Sequence, residues 1–267
     1  MMITKKILAA GALALFLVSC STEDQFVDIP LDDQSGKIVI EGSVTNEAGP
    51  YEIKVSRSIK VTSDHNNYPA VSNAKVTLSD NQGQTELLAF DTVEKVYKTG
   101  HFHTSAGMTY TLTVDVDGKI YKATSTMPEF VQLEDLEQDN VTLLGENNII
   151  VVPSFTDPAT KGNKYIFKSI TGSKRPIEYN FFSDQLDNGE DISFPILSNY
   201  KLVKKDTVFV ELQAVDAPVY DYFRVLKNAI PGDSGEPIPS NPPSNISNGA
   251  LGYFSAHSTS VKAIIIQ

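Results

Sequence analysis

Tyr110-Thr111-Leu112-Thr113-Val114-Asp115-Val116-Asp117-Gly118-Lys119-Ile120-Tyr121-Lys122-Ala123-Thr124-Ser125-Thr126 is the stretch that decides the fold. Tyr110, Leu112, Val114 and Val116 alternate with polar residues, which places them on one face of a strand. Asp117-Gly118 supplies the two positive-φ positions of a type I′ turn, and Ile120 to Thr126 returns as the second strand. Period two with turn punctuation extends outward from this hairpin over Lys37 to Met127. Ile38, Ile40 and Val44 form one stripe, interrupted by Gly42; Tyr51, Ile53 and Val55 form the next. Val76 and Leu78 lead into the turn Asp80 to Gly83, and Thr85 to Phe90 continues. About seven short strands without helical period predict a small β-sandwich over 37–128.

A second β-rich region is expected over 141–267. Asn148 to Pro153, Lys164 to Ile170, Ile177 to Phe182 and Thr207 to Val215 read as strands, and Val261 to Ile266 as the last. Glu129 to Asn140 reads as an acidic connector between the regions. The spacing predicts one amphipathic helix near 217–230, capped by Asp216 with Pro218 in its first turn. Val219, Tyr222, Phe223, Leu226 and Ile230 share one face of it, and Pro231-Gly232 stops it. Gly232 to Pro243 is proline-rich and must be a loop, because proline donates no ladder hydrogen bond.

The first twenty residues set the compartment. Lys5 and Lys6 precede an apolar run from Ile7 to Val18 that spans about 18 Å as a helix, short of the ~30 Å hydrocarbon core. It reads as a signal peptide over 1–19, not a membrane span. Leu17-Val18-Ser19-Cys20 resembles the bacterial lipobox, in which cleavage before cysteine frees its amine and the thiol is diacylglycerated. Cys20 is the single cysteine of the 267 residues, so an internal disulfide is excluded. An ordinary secretory signal with a chance cysteine is the alternative. More than one acyl chain gives stable anchoring, so the body is expected to be tethered to membrane through Cys20. Residues 20–36 read as a flexible acidic tether. Its Glu23-Asp24 also resembles the surface-export signal of Bacteroidota lipoproteins, although short acidic runs are common in plain linkers.

The landmarks in this order resemble a family of Bacteroidota lipoproteins catalogued as a domain of unknown function, DUF4249. The carriers are Lys37-Ile38-Val39-Ile40-Glu41-Gly42, Gly49-Pro50-Tyr51 and the hairpin through Met127-Pro128. Tyr220-Asp221-Tyr222-Phe223, Pro243-Ser244-Asn245-Ile246 and Gly252-Tyr253-Phe254 complete them. The resemblance implies an immunoglobulin- or transthyretin-like first half, outer-membrane residence and a TonB-dependent transporter as partner. It implies no reaction and no ligand. The expected class is therefore mostly β, an N-terminal sandwich followed by a β-rich region with one helix.

Composition narrows the function. A net charge of −11, with no basic run longer than a pair, excludes a phosphate-backbone footprint and hence nucleic acid. His101-Phe102-His103, read as a strand, places two imidazoles on one face for a shared metal, with His65 or His257 as third ligand. The competing reading is a polar face around a buried Phe102. Asp184, Asp187, Glu190 and Asp191 with Gly189 offer oxygen ligands for Ca²⁺ but lack the EF-hand spacing. Asp115 and Asp117 are explained by the hairpin turn. Carboxylate pairs such as Glu134 and Glu137 could in principle hydrolyse glycosides, but sequence does not give their separation in space, and in the acidic connector solvation is their ordinary explanation. No nucleophile-elbow, zinc-protease or phosphate-loop motif is present, so no catalysis and no cofactor are expected. Binding through the loops Ser63 to Pro69, Asp184 to Asp191 and Gly232 to Gly252 is the preferred class. With 11 Tyr, 13 Phe and no Trp, glycan stacking is disfavoured. The expectation is a non-enzymatic surface lipoprotein that assists a TonB-dependent transporter in nutrient capture. A structural or adhesive surface protein is the first alternative and a surface hydrolase the second.

Overall fold

A computed structural model describes residues 35–60, 68–143, 145–172, 175–184, 189–229 and 241–267. In chain order the strands are β1 (Ile38–Thr45), β2 (Glu52–Arg57), β3 (Lys75–Asp80), β4 (Thr85–Leu87), β5 (Ala89–Asp91), β6 (Val96–Lys98), β7 (Thr109–Val116) and β8 (Lys119–Thr126). There follow β9 (Asp135–Leu143), β10 (Glu146–Thr156), β11 (Lys164–Thr171), β12 (Glu178–Ser183), β13 (Asp191–Ser193) and β14 (Thr207–Val215). The helix α1 (Ala217–Ala229) and a long β15 (Leu251–Ile265) complete the order. The β7–β8 hairpin turns through Asp117 at φ 53° and Gly118 at φ 84°, as the Asp-Gly pair predicts.

One eight-stranded sheet, in the order β12-β11-β14-β15-β1-β2-β6-β5, runs through the body. A four-stranded sheet, β4-β3-β7-β8, covers one end of it, and Ile40, Ile53, Leu78, Tyr110, Leu112 and Phe254 are buried in the core that results. A three-stranded sheet, β13-β10-β9, contributes to a second core around Phe155, Tyr165, Phe167 and Leu133. The two regions expected over 37–128 and 141–267 thus share their central sheet, and Gln34–Gln267 forms one contact unit.

Two sequence expectations need correction. The acidic connector contains β9, paired with β10 from Asp135 onward. Its acids lie outside while Val131, Leu133 and Leu136 are buried, so burial of these apolar side chains and pairing with β10 outweigh the charge. The last strand begins at Leu251 rather than Val261, because Ser255 to Ser260 carries no apolar stripe yet lies inside the fold. Both Tyr253 and Phe254 are therefore packed. Phe254 is fully buried, and Tyr253 rests on Tyr222 and Phe223 of α1 with centroids 5.0 and 4.8 Å apart.

The polar run of β15 has a physical cause. Residues 251–257 pair in parallel with β1, whereas 258–265 pair antiparallel with β14. Each half therefore needs side chains to complete what its missing ladder leaves open. Asn245 does this at Phe254, accepting from its N–H at 3.0 Å and donating to its carbonyl at 2.7 Å. Ser125 accepts from the Ala256 N–H at 2.8 Å and donates onward to Asp216 at 2.7 Å. Asn46 brackets Thr259 in the same way, accepting from its N–H at 2.6 Å. Ser260 accepts from the Leu133 N–H at 3.0 Å. Asp216 also accepts from Val219 N–H at 3.2 Å, which is the expected helix cap.

Where β15 meets β1 the backbones nearly touch. Gly252 has φ +93°, and a Cβ there would lie 2.0 Å from the Ile40 carbonyl oxygen. Gly252→Ala is expected to cost more than ~3 kcal/mol, by forcing backbone apart as well as straining φ. Gly83→Ala is the control, with φ +100° and open space, and should cost only ~1 kcal/mol. Urea midpoints of the two variants test this; equal shifts would show that the close approach carries no weight.

His257 lies inside the same seam, 2.9 Å from the Ser255 hydroxyl through Nδ1. Burial, only partly offset by the Glu211 carboxylate, drives its pKa down to about 4. The imidazole is then neutral in the folded chain between pH 5 and pH 7, whereas in the unfolded chain it takes up its proton across that range. Its contribution is intact above the unfolded value near 6.5 and is lost as pH falls towards 4. Stability should drop by on the order of 2 kcal/mol between pH 7 and pH 5, and His257→Gln should flatten that slope. A wild-type slope that survives the substitution assigns the loss to other groups.

Candidate functional site

Cys20, the tether up to residue 34 and His65 lie outside the described residues, as do Asp187, residues 63–67 of the loop Ser63 to Pro69 and residues 232–240 of the loop Gly232 to Gly252. His101 and His103 do not stand on a strand. They occupy the loop between β6 and β7, both exposed, on either side of buried Phe102, whose ring meets Tyr110 edge-on at 6.1 Å. Glu86 holds this loop by accepting from the Gly100 and His101 N–H groups. His257, the suggested third ligand, is buried in β15 against Ser255. Among the described residues no three His, Cys, Asp or Glu side chains gather as a metal site.

The acidic loop is divided. Asp184 is buried and donates its backbone N–H to the Asn163 carbonyl at 3.0 Å, while Glu190 and Asp191 are exposed. Thr156 donates to Asp191 at 2.9 Å and to Glu134 at 2.8 Å. Near Asp184, the Tyr165 hydroxyl donates to buried Asp157 at 2.5 Å, and burial raises the phenol well above its ordinary range. Glu137 is exposed on β9, and Asp115 accepts from Gly118 N–H within the turn.

The large sheet presents a different feature. On its second face α1 covers Ile166 and Val215 through Val219, and Tyr179 and Phe181 through Phe223 and Tyr220. Beyond this cover comes a polar row set by the register Lys168↔Glu211↔Val261 and Gln213↔Thr259. Lys168 Nζ reaches Glu211 at 3.1 Å, and Gln213 and Thr259 donate to the same carboxylate at 2.7 and 3.1 Å. Burial works against this carboxylate, but Gln213, Lys168 and Thr259 outweigh it and hold its pKa below the ordinary value.

Past that row the face is bare. The register Ile170↔Phe209↔Ala263 and Thr207↔Ile265 places apolar side chains of three adjacent strands side by side. Phe209 is 49%, Val261 52% and Ile265 57% exposed, while the opposite side of the same strands is sealed by Val208, Val210 and Leu212. Ile177, just ahead of β12, is exposed as well. Contiguous exposed apolar side chains of this kind mark interaction surfaces. The signal in sequence was Phe209, an aromatic at the outward phase of an otherwise regular alternation.

No helix among the described residues is long and apolar enough to cross a membrane. A two-domain fibronectin type III segment of chicken tenascin is similar over 68% of this chain and 92% of its own, at 11% identity and a TM-score of 0.25. Curated proteins show no match to the chain. The model of the family described as Domain of unknown function (DUF4249) matches residues 24–263, and the chain belongs to that family.

Proposed function

We propose that this protein is a lipid-anchored, non-enzymatic binding component of the outer membrane, exposed at the cell surface. In this reading it assists a TonB-dependent transporter in nutrient capture. The observation that carries the binding role is the bare apolar face of β11, β14 and β15, framed by the Lys168–Glu211 network. An apolar centre beside a satisfied polar row is the composition of a protein–protein contact. The anchor rests on the lipobox ending in Cys20, and the acidic residues behind it favour the outer surface.

Two measurements separate anchor from contact. Cys20→Ala should move the protein from the membrane to the soluble fraction; continued membrane fractionation means the anchor is assigned wrongly. Phe209→Glu combined with Val261→Lys should leave thermal stability within a few degrees, since both side chains face outward. The same pair should reduce co-purification with a transporter barrel in mild detergent at least tenfold. Undiminished co-purification would remove this face from the contact.

A further inference from the structure

Three cations stand around one open cavity of about 530 Å³ at the pole where the described body begins. Lys37 precedes β1, Arg57 ends β2 opposite Ile38, and Lys119 opens β8. Separate pieces of backbone thus bring them together. The Arg57 guanidinium donates to the Gly36 carbonyl at 3.3 Å, and the Lys119 ammonium lies 5.1 Å from the Tyr121 ring centroid. Asn248 completes the wall, held by its amide donating to the Ile120 carbonyl at 2.6 Å.

Among the described residues none of the three cations forms an ion pair, although Lys54, Lys98, Lys168, Arg175, Lys201 and Arg224 all do. The acids of the adjoining hairpin are engaged elsewhere: Asp115 accepts from Gly118 N–H and Asp117 from the Asn73 amide. In a chain of net charge −11 this is a local reversal of sign. A concave, cation-lined wall focuses the field into the cavity. A guanidinium fork with two ammonium groups matches the several oxygens of a phosphate group better than a single carboxylate.

We propose that this cavity binds a phosphate group of the type carried by an anionic lipid headgroup. Anion binding follows from the cavity itself; assigning its source to the membrane rests on the anchor at Cys20. Fully extended, the chain from Cys20 to Ser35 spans at most about 50 Å, so an anchored body keeps this pole within reach of the bilayer.

The test uses the full-length lipidated protein in nonionic detergent, titrated calorimetrically with dihexanoyl phosphatidic acid, inorganic phosphate and dihexanoyl phosphatidylcholine. Phosphatidic acid should bind, weaken with added salt, and bind at least tenfold more weakly to the Lys37→Gln, Arg57→Gln, Lys119→Gln triple variant. Single Lys119→Gln should show a smaller loss, and Lys119→Arg should restore binding, which covers misfolding of the triple variant. Inorganic phosphate binding as tightly as phosphatidic acid, with the same variant dependence, supports the site and assigns it to free phosphate. Binding by neither phosphate probe, or equal binding to all variants, overturns the proposal. The mass of the Cys20 peptide reads the anchor separately: an unacylated cysteine removes the membrane source and leaves the titration unaffected.

Discussion

A single strand that changes partners midway holds this molecule together. β15 pairs in parallel with β1 over 251–257 and antiparallel with β14 over 258–265, so neither half of the sheet is complete without it. Parallel pairing of β15 with β1 closes the fold from residue 38 to residue 265. It demands a glycine at 252, where β15 passes against the Ile40 carbonyl. It also demands polar side chains where each ladder stops, because an unsatisfied buried backbone group costs about 1–3 kcal/mol. Asn245, Asn46 and Ser125 meet that demand from three different segments.

This arrangement explains which parts of the fold were legible. The β7–β8 hairpin and α1 were plain because their determinants are local: a type I′ pair at 117–118, a cap at Asp216, an apolar spacing of three and four. β15 was only partly legible, since Ser255 to Ser260 is buried for hydrogen bonding rather than for hydrophobicity. Local periodicity carries no mark of a partner more than a hundred residues away. β9 was obscured differently. Glu134, Asp135, Glu137 and Asp139 suggested a solvated connector, and the buried Val131, Leu133 and Leu136 give no continuous alternation to contradict it, because the phase slips between 133 and 136 where β9 begins.

The functional surfaces were less legible than the fold, for a related reason. His101 and His103 are neighbours in sequence, and that proximity invited a metal reading. Their loop is instead fixed by Glu86 and by the burial of Phe102. The cavity around Lys37, Arg57 and Lys119 draws on residues dispersed over more than eighty positions, so no window of sequence contains it. The apolar face left one trace, Phe209. Its neighbours Ile170, Val261 and Ile265 became a patch only through the register of β11, β14 and β15.

The two surfaces lie at opposite ends of the same strand. β15 starts beside Val39 of β1, close to Asn248 and the cationic cavity, and finishes beside Thr207 of β14 at the bare apolar face. At about 3.3 Å per residue its fifteen residues separate those ends by roughly 50 Å. Because β1 runs parallel to β15, the start of β1 necessarily sits at the cationic end; an antiparallel pairing would have carried it towards the apolar face. In the proposed reading, a chain anchored at Cys20 enters the body at the cationic end of β15, and the exposed apolar residues stand towards its other end. The same pairing that brings Gly252 against the Ile40 carbonyl thus sets the polarity on which the proposed binding role depends.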